Sequence, residues 1–349
     1  MNNYCHPSRE NNSGTCFVKS DMEILLNNYN RENPQQPIKE SSTNKIRKQL
    51  LQNSNCENDI CLHEKYGEEL KDEKIFRAQQ NEQWIKNPTE WLSTFDIEQC
   101  LRQYEETYPE FLFYGATPID ICEQTMFNEK VLGKLCDINL SSVLQKGYTK
   151  LGVVFNTHTH EKSGEHWFAS FMDLINGKLY LFDSNGIYSN SNSNSNSIEM
   201  LSMEDSISEK YEPVVKALRN IQQQGNQLYQ QKKLKNPFTI YYNTRQHQKT
   251  NTECGMYSIY FIVQMVEGAD FKKLNSEPIP DNKVFQYRKI FFRPVASKSI
   301  QNMRESKIGG MGNLINYIID PISLVKYAIH SIQGTNLLQN YVKTYLQLK

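Results

Sequence analysis

The sequence predicts an α+β fold: a sheet of short strands in the middle of the chain, flanked by helices. Three observations predict it. Residues 150–156, 166–173, 177–183 and 237–243 are apolar or alternating runs of strand length, two of them joined by the turn-forming Ile175-Asn176-Gly177. Met256 to Val266 is too evenly apolar for a surface helix and reads as one buried on most sides. The two ends of the chain carry few strand signals. The expected division is a helical N-terminal segment at 1–83, a main domain at 84–297 and a helical tail at 298–349.

Taken in order, Asp21 to Tyr29 has the spacing of a short helix, with Ser20 or Asp21 as its cap. A Pro-, Asn- and Gln-rich linker over 30–43 leads to a second short helix beginning at Asn44. Pro88-Thr89 opens a helix whose apolar residues continue through Phe95, Ile97 and Leu101. Residues 111–118 read as a short strand or turn, 120–146 as helical, and 150–156 as a clear strand. The Ser/Asn repeat within 188–206 reads as a disordered insertion. An amphipathic helix begins at Pro213, the last strand is 237–243, and another helix follows Pro278. Gly309-Gly310-Met311-Gly312 suggests a flexible linker, and the apolar stripe over 314–333 a helix.

The charge balance excludes broad function classes. Lys plus Arg equals Asp plus Glu at 39 each, so nothing global attracts nucleic acid or an acidic membrane. No run approaches a membrane span, and the polar N-terminus is no signal peptide, so secretion is not expected. Eight cysteines in 349 residues do not imply a disulfide framework, and a reducing compartment is expected. Cys5, His6, Cys16, Cys56, Cys61 and His63 match no zinc-finger spacing, and His158 and His160 have no third ligand nearby. No metal or other cofactor is therefore expected.

The chemistry gathers at Gln248-Lys-Thr-Asn-Thr-Glu-Cys254-Gly255. Cys254 opens the apolar helix, where free N–H groups and the helix dipole favour the reactive thiolate. Gly255 leaves room for a substrate to approach. His166 starts one strand and Asp183 ends the next, so an antiparallel pairing brings them side by side. A thiol, a base and an acid orienting that base make up the general nucleophile constellation. Gln248 adds a side-chain N–H to the backbone N–H of Cys254 for an oxyanion.

His166-Trp167, then Asp183, then Gln-x5-Cys-Gly opening a helix resembles the clan CE cysteine proteases. That group includes the Ulp/SENP-type SUMO proteases, adenovirus proteinase and the polyprotein protease of African swine fever virus. The pattern is closest to thiol proteases of giant DNA viruses, which add a helical N-terminal segment. The resemblance implies the Ulp/adenain-like core, with a central mixed sheet flanked by helices. It assigns Cys254, His166, Asp183 and Gln248 as catalytic, with Asn185 as an alternative third member. It also implies that Trp91 and Trp167 wall a narrow substrate tunnel. Glu253 stands where the SUMO proteases usually carry Asp. The implied partner is a protein substrate, either a viral structural precursor cut after small residues or a ubiquitin-like modifier. The implied location is the virion or host cytoplasm. An inactive protease fold kept as a virion scaffold or binding module is the rival from another class.

Overall fold

The computed structural model describes residues 4–9, 14–120, 135–162, 164–187, 198–201 and 207–295, with two short strands at 317–319 and 326–328. The chain divides into two compact units, Met1–Ala296 and Ser297–Lys349.

The first unit is built on a six-stranded mixed sheet. Its strands are β1 (Phe111–Pro118), β2 (Lys150–Asn156), β3 (Trp167–Asp173), β4 (Lys178–Phe182), β5 (Ile198–Met200) and β6 (Thr239–Asn243). Their spatial order is β1-β2-β3-β4-β6-β5. β1 runs parallel to β2 and β4 parallel to β6, while β2–β3, β3–β4 and β5–β6 are antiparallel. The turn between β3 and β4 needs Gly177, whose φ is 67° and whose absent Cβ would lie 2.4 Å from the Pro237 carbonyl oxygen.

Side chains alternate between two cores, as the strand period of two requires. Phe113, Val154, Ala169, Phe171 and Phe182 face one core with α4 (Thr94–Thr107), α7 (Cys254–Val266) and α9 (Asp281–Phe291). Val153, Phe155, Phe168, Met172 and Leu181 face the other, with α5 (Leu140–Gln145) and α6 (Glu212–Gln230). Every residue of α7 except Tyr260 and Gln264 is buried, as its even apolarity predicts. The short helix α8 (Phe271–Ser276) follows it.

The outer edge of β1 is closed by side chains of α4. Glu98 accepts the Ala116 N–H at 2.7 Å, Glu105 accepts the Phe113 N–H at 2.8 Å, and Arg102 donates to the Phe113 carbonyl at 3.4 Å. The strand bulges between Phe113 and Gly115. A Cβ on Gly115 (φ 124°) would come within 2.7 Å of the Glu98 carboxylate, so only glycine lets that carboxylate reach the strand.

The N-terminal segment contains α1 (Lys19–Glu32), α2 (Thr43–Asn53) and α3 (Asp59–Tyr66), around Phe17, Leu25, Leu50, Leu62 and Phe76. Buried Asp59 ties it together, accepting from Thr15 Oγ, the Cys16 N–H and Arg47 Nε at 2.6–2.8 Å. The segment then meets the sheet domain through Gln103, which accepts the Ala78 N–H, and through the Arg293 N–H, which donates to the Ala78 carbonyl.

Several expectations are corrected. Cys5–Cys16 and Cys56–Cys61 are disulfides, and Cys136 is disulfide-bonded too. Whole-chain length argued against such bridges, but the N-terminal segment alone is small enough to need cross-links for its core. Helix α4 starts at Thr94 rather than at 88, because Ser93 and Asp96 form a capping box. Within the expected insertion, Ile198–Met200 is a strand paired to β6, while 188–197 and 202–206 lie outside the described residues. In the expected C-terminal helix, Tyr317–Ile319 and Lys326–Ala328 instead form an antiparallel pair. Asp320-Pro321 between them favours a turn, and the isoleucines favour strand. The helix expected over 121–134 lies outside the described residues. Among those described, no helix is long and apolar enough to cross a membrane.

Candidate active site

The site lies where the ends of β3, β4 and β6 meet the start of α7. His166 immediately precedes β3, and its carbonyl accepts the Thr157 N–H at 2.9 Å, which fixes its backbone across the hairpin from β2. Asp183 immediately follows β4 and leaves the sheet ladder. Its N–H donates to Asn243 Oδ1 at 2.9 Å, and its carbonyl accepts from Asn243 Nδ2 at 2.8 Å. One β6 side chain thus replaces a ladder partner and aims the Asp183 carboxylate at the neighbouring strand end.

His166 Nε2 lies 2.7 Å from Asp183 Oδ1. The nitrogen left for the thiol is Nδ1, and Cys254 lies near enough to the imidazole to favour its protonated form. Cys254 is 3% exposed at the first position of α7. Asp183 is fully buried, yet its carboxylate is satisfied: Tyr211 donates to Oδ2 at 2.6 Å and the Asn185 N–H to Oδ1 at 2.8 Å. Lys210 Nζ stands 3.9 Å away. The Asn185 side-chain amide is 3.5 Å from His166 Nε2, at the limit of a hydrogen bond.

Burial alone would lower the His166 pKa, but the hydrogen bond to Asp183, with the Cys254 thiol on the other side, raises it to about 9. Burial by itself would push the Asp183 carboxyl up; the imidazole, the Tyr211 hydroxyl and the Asn185 N–H outweigh it and hold it below the ordinary carboxylate range. The imidazole is therefore able to hold a proton beside the thiol at neutral pH.

Gln248 is 2% exposed, between β6 and α7. Its Oε1 accepts from Ser184 Oγ at 2.8 Å and its Nε2 donates to the Thr250 carbonyl at 2.7 Å. The amide plane is thus fixed with one N–H beyond the Thr250 bond. The Trp167 indole N–H donates to the Leu92 carbonyl at 3.0 Å, pinning the ring next to Gly255. A Cβ on Gly255 would sit 3.0 Å from Leu92 Cβ and 3.3 Å from Trp167 Cδ1. Trp91, one residue before Leu92, is 43% exposed, whereas Trp167 is buried.

The structure therefore brings His166, Asp183, Asn185 and Cys254 together, with Gln248 anchored on Ser184, the residue after Asp183. Sequence reasoning missed Ser184, Asn243 and Tyr211. Ser184 adjoins a candidate residue, but nothing in the local sequence marks the other two. The loop histidines are paired instead: His160 Nδ1 lies 2.5 Å from Asp120, and His158 Nε2 lies 3.3 Å from Glu165. Among the described residues no group of three or more His, Cys, Asp or Glu could hold a metal ion.

Such a geometry can activate a thiol for attack on a carbonyl, return a proton to a leaving group and stabilise an oxyanion. Comparison with known proteins agrees with that chemistry. Residues 154–303, which contain all four catalytic candidates, match the Ulp1 protease family, C-terminal catalytic domain. The "Putative thiol protease" of Acanthamoeba polyphaga mimivirus is 31% identical over 320 residues, covering 85% of this chain and 95% of that protein. The "SUMO-1 cysteine protease" of African swine fever virus (isolate Warthog/Namibia) is 24% identical over 214 residues, 60% of this chain and 70% of that protein. The crystal structure of the African swine fever virus protease has the same fold, with a TM-score of 0.53 at 20% identity over 84% of this chain and 96% of that one. Similarity that runs almost the full length of the mimivirus protein, and a family match spanning the sheet ends where the thiol meets the imidazole, establish that this chain belongs to the Ulp1 protease family and is a cysteine-type peptidase.

Proposed function

We propose that the chain is an endopeptidase that cuts proteins after small residues, at Gly-Gly or Gly-X sites, and that it matures viral core or polyprotein precursors. Cys254 attacks the scissile carbonyl, and His166 takes the thiol proton and delivers it to the leaving amine. Asp183 fixes the imidazole tautomer, while Gln248 and the Cys254 N–H hold the oxyanion. The observation that carries the specificity is the filled wall beside the nucleophile. Trp167 is locked to Leu92, and not even one added carbon at Gly255 fits without displacing them. Trp91, joined to Leu92, is the proposed opposite wall, so the substrate backbone passes best where it carries no Cβ. That two relatives come from viruses, Acanthamoeba polyphaga mimivirus and African swine fever virus, is what supports a viral setting.

One name favours a second reading: the African swine fever virus relative is called a SUMO-1 cysteine protease, which supports removal of a ubiquitin-like modifier. A peptide library cut by the purified chain tests both. Glycine should be enriched before the cut, Trp167→Ala should relax it, and Cys254→Ala should abolish cleavage. Efficient processing of a ubiquitin-like precursor, with no cleavage of Gly-containing virion proteins, would replace the first reading with the second.

A further inference from the structure

Helix α9 lies in the sequence beyond every residue assigned a role above, yet two of its charged side chains grip the loop that carries Gln248 and Cys254. Asp281, its first residue, accepts the Lys249 N–H at 3.0 Å, the Thr250 N–H at 2.8 Å and the Tyr257 hydroxyl at 2.8 Å. Thr250 is the residue whose carbonyl receives the Gln248 side-chain N–H. Arg288 stands seven positions further on, two helical turns, and so shares a face with Asp281. Its guanidinium bonds both oxygens of the Glu253 carboxylate, at 3.1 and 3.2 Å, and lies 4.6 Å over the Trp84 ring. Glu253 and Arg288 are 2% and 5% exposed, and Glu253 is the residue before the nucleophile.

We propose that α9 is a positioning clamp: Asp281 sets the oxyanion-binding side of the loop through Thr250 and Gln248, and Arg288 neutralises Glu253 beside the Cys254 thiol. The proposal rests on the roles given to Cys254 and Gln248 above. The two ends of the clamp do different work. Asp281 touches no reacting atom; it holds the N–H side of Thr250, the residue whose carbonyl anchors the Gln248 amide. Without Arg288, a buried negative charge would adjoin Cys254 and oppose formation of the thiolate. The charged groups around this point are His166, with Asp183 behind it, from the sheet, Glu253 as the residue before the thiol, and Arg288 of α9, which holds Glu253.

Two measurements separate these effects from mere loss of structure. Alkylation of Cys254 by iodoacetamide needs the thiolate but no oxyanion hole, whereas peptide cleavage needs both. Asp281→Ala should lower kcat on a fluorogenic Gly-Gly peptide by at least about tenfold, with KM within about twofold and the alkylation rate unchanged. Unchanged kcat, or parallel loss of cleavage and alkylation, would overturn the role of Asp281. Arg288→Met should displace the pH profile of alkylation upward by about one pH unit or more, and Glu253→Gln in the same chain should restore it. An unmoved profile overturns the role of Arg288. Should Arg288→Met not fold, Arg288→Lys is read in its place, with a smaller displacement in the same direction expected. If the unmutated chain cleaves no peptide, the endopeptidase reading fails and the role of Asp281 with it, and the alkylation profiles still decide the role of Arg288.

Discussion

Asp183→Asn isolates the charge of the third catalytic candidate from its geometry. The amide oxygen can still accept from His166 Nε2, now 2.7 Å from the carboxylate, and the amide N–H₂ would face the Tyr211 oxygen, which can turn from donor to acceptor. Shape is kept and charge is lost. The imidazole, 13% exposed, is held at about 9 against an ordinary 6.5, a preference of about 3 kcal/mol for its protonated form. Asp183 and the thiol share that preference. Giving Asp183 the larger part, about 2–3 kcal/mol, predicts a loss of about 30- to 160-fold in single-turnover cleavage at neutral pH. The alkaline limb of the rate profile, expected near pH 9, should also move to lower pH. Asn185→Ala removes only a side-chain contact at 3.5 Å and keeps the backbone N–H bond to Asp183, so it should cost less than about threefold. Rapid-quench assays on both variants check this. A larger loss in Asn185→Ala than in Asp183→Asn would refute the reasoning and transfer the role to the amide.

Three further predictions concern the frame of the site. Gly255→Ala should destabilise the chain by about 1–3 kcal/mol, because the added methyl meets Leu92 and Trp167 at 3.0–3.3 Å; urea titration measures it. Stability should also depend on pH at both ends. His166 binds its proton more tightly when folded, so its contribution is full below about 6.5 and is lost as pH rises through about 9. Burial lowers His6 and His247 to about 4, so their contribution is full above about 6.5 and is lost as pH falls toward 4; His247→Leu should flatten that acid limb in calorimetry. Finally, Cys5→Ser with Cys16→Ser should cost about 2–3 kcal/mol for the opened loop, whereas Cys100→Ala, at a buried thiol that burial pushes up to about 12, should leave turnover largely intact.

What the sequence disclosed follows from the range of the interactions involved. Cys254 opening an apolar helix, and His166 and Asp183 flanking one hairpin, are local patterns; the hairpin brings the two strand ends near each other, and Asn243 from β6 aims the carboxylate. Contacts between distant parts of the chain stayed hidden. Tyr211 reaches Asp183 across 28 positions and Arg288 reaches Glu253 across 35, and neither has a spacing that a periodic pattern encodes. The disulfides escaped for a related reason: pairing depends on how the N-terminal turns fold back, with Cα–Cα separations of 5.0 and 5.5 Å, and not on cysteine count. At the C-terminal end, a stripe of apolar residues too short to fix its period resolved into strands around Tyr317–Ile319 and Lys326–Ala328.

The guarded edge of β1 bears on how this molecule behaves in company. An open strand edge is a template on which another chain can grow the sheet. Here Glu98, Arg102 and Glu105 occupy hydrogen-bonding positions that a visiting strand would need. A polypeptide presented at that side meets carboxylates rather than free amides, and so gains little by extending alongside. At high concentrations of unfolded polypeptide, that edge resists both unproductive capture and self-association. Replacing Glu98 and Glu105 with alanine would remove the guard, visible as concentration-dependent light scattering from chains whose circular dichroism remains native.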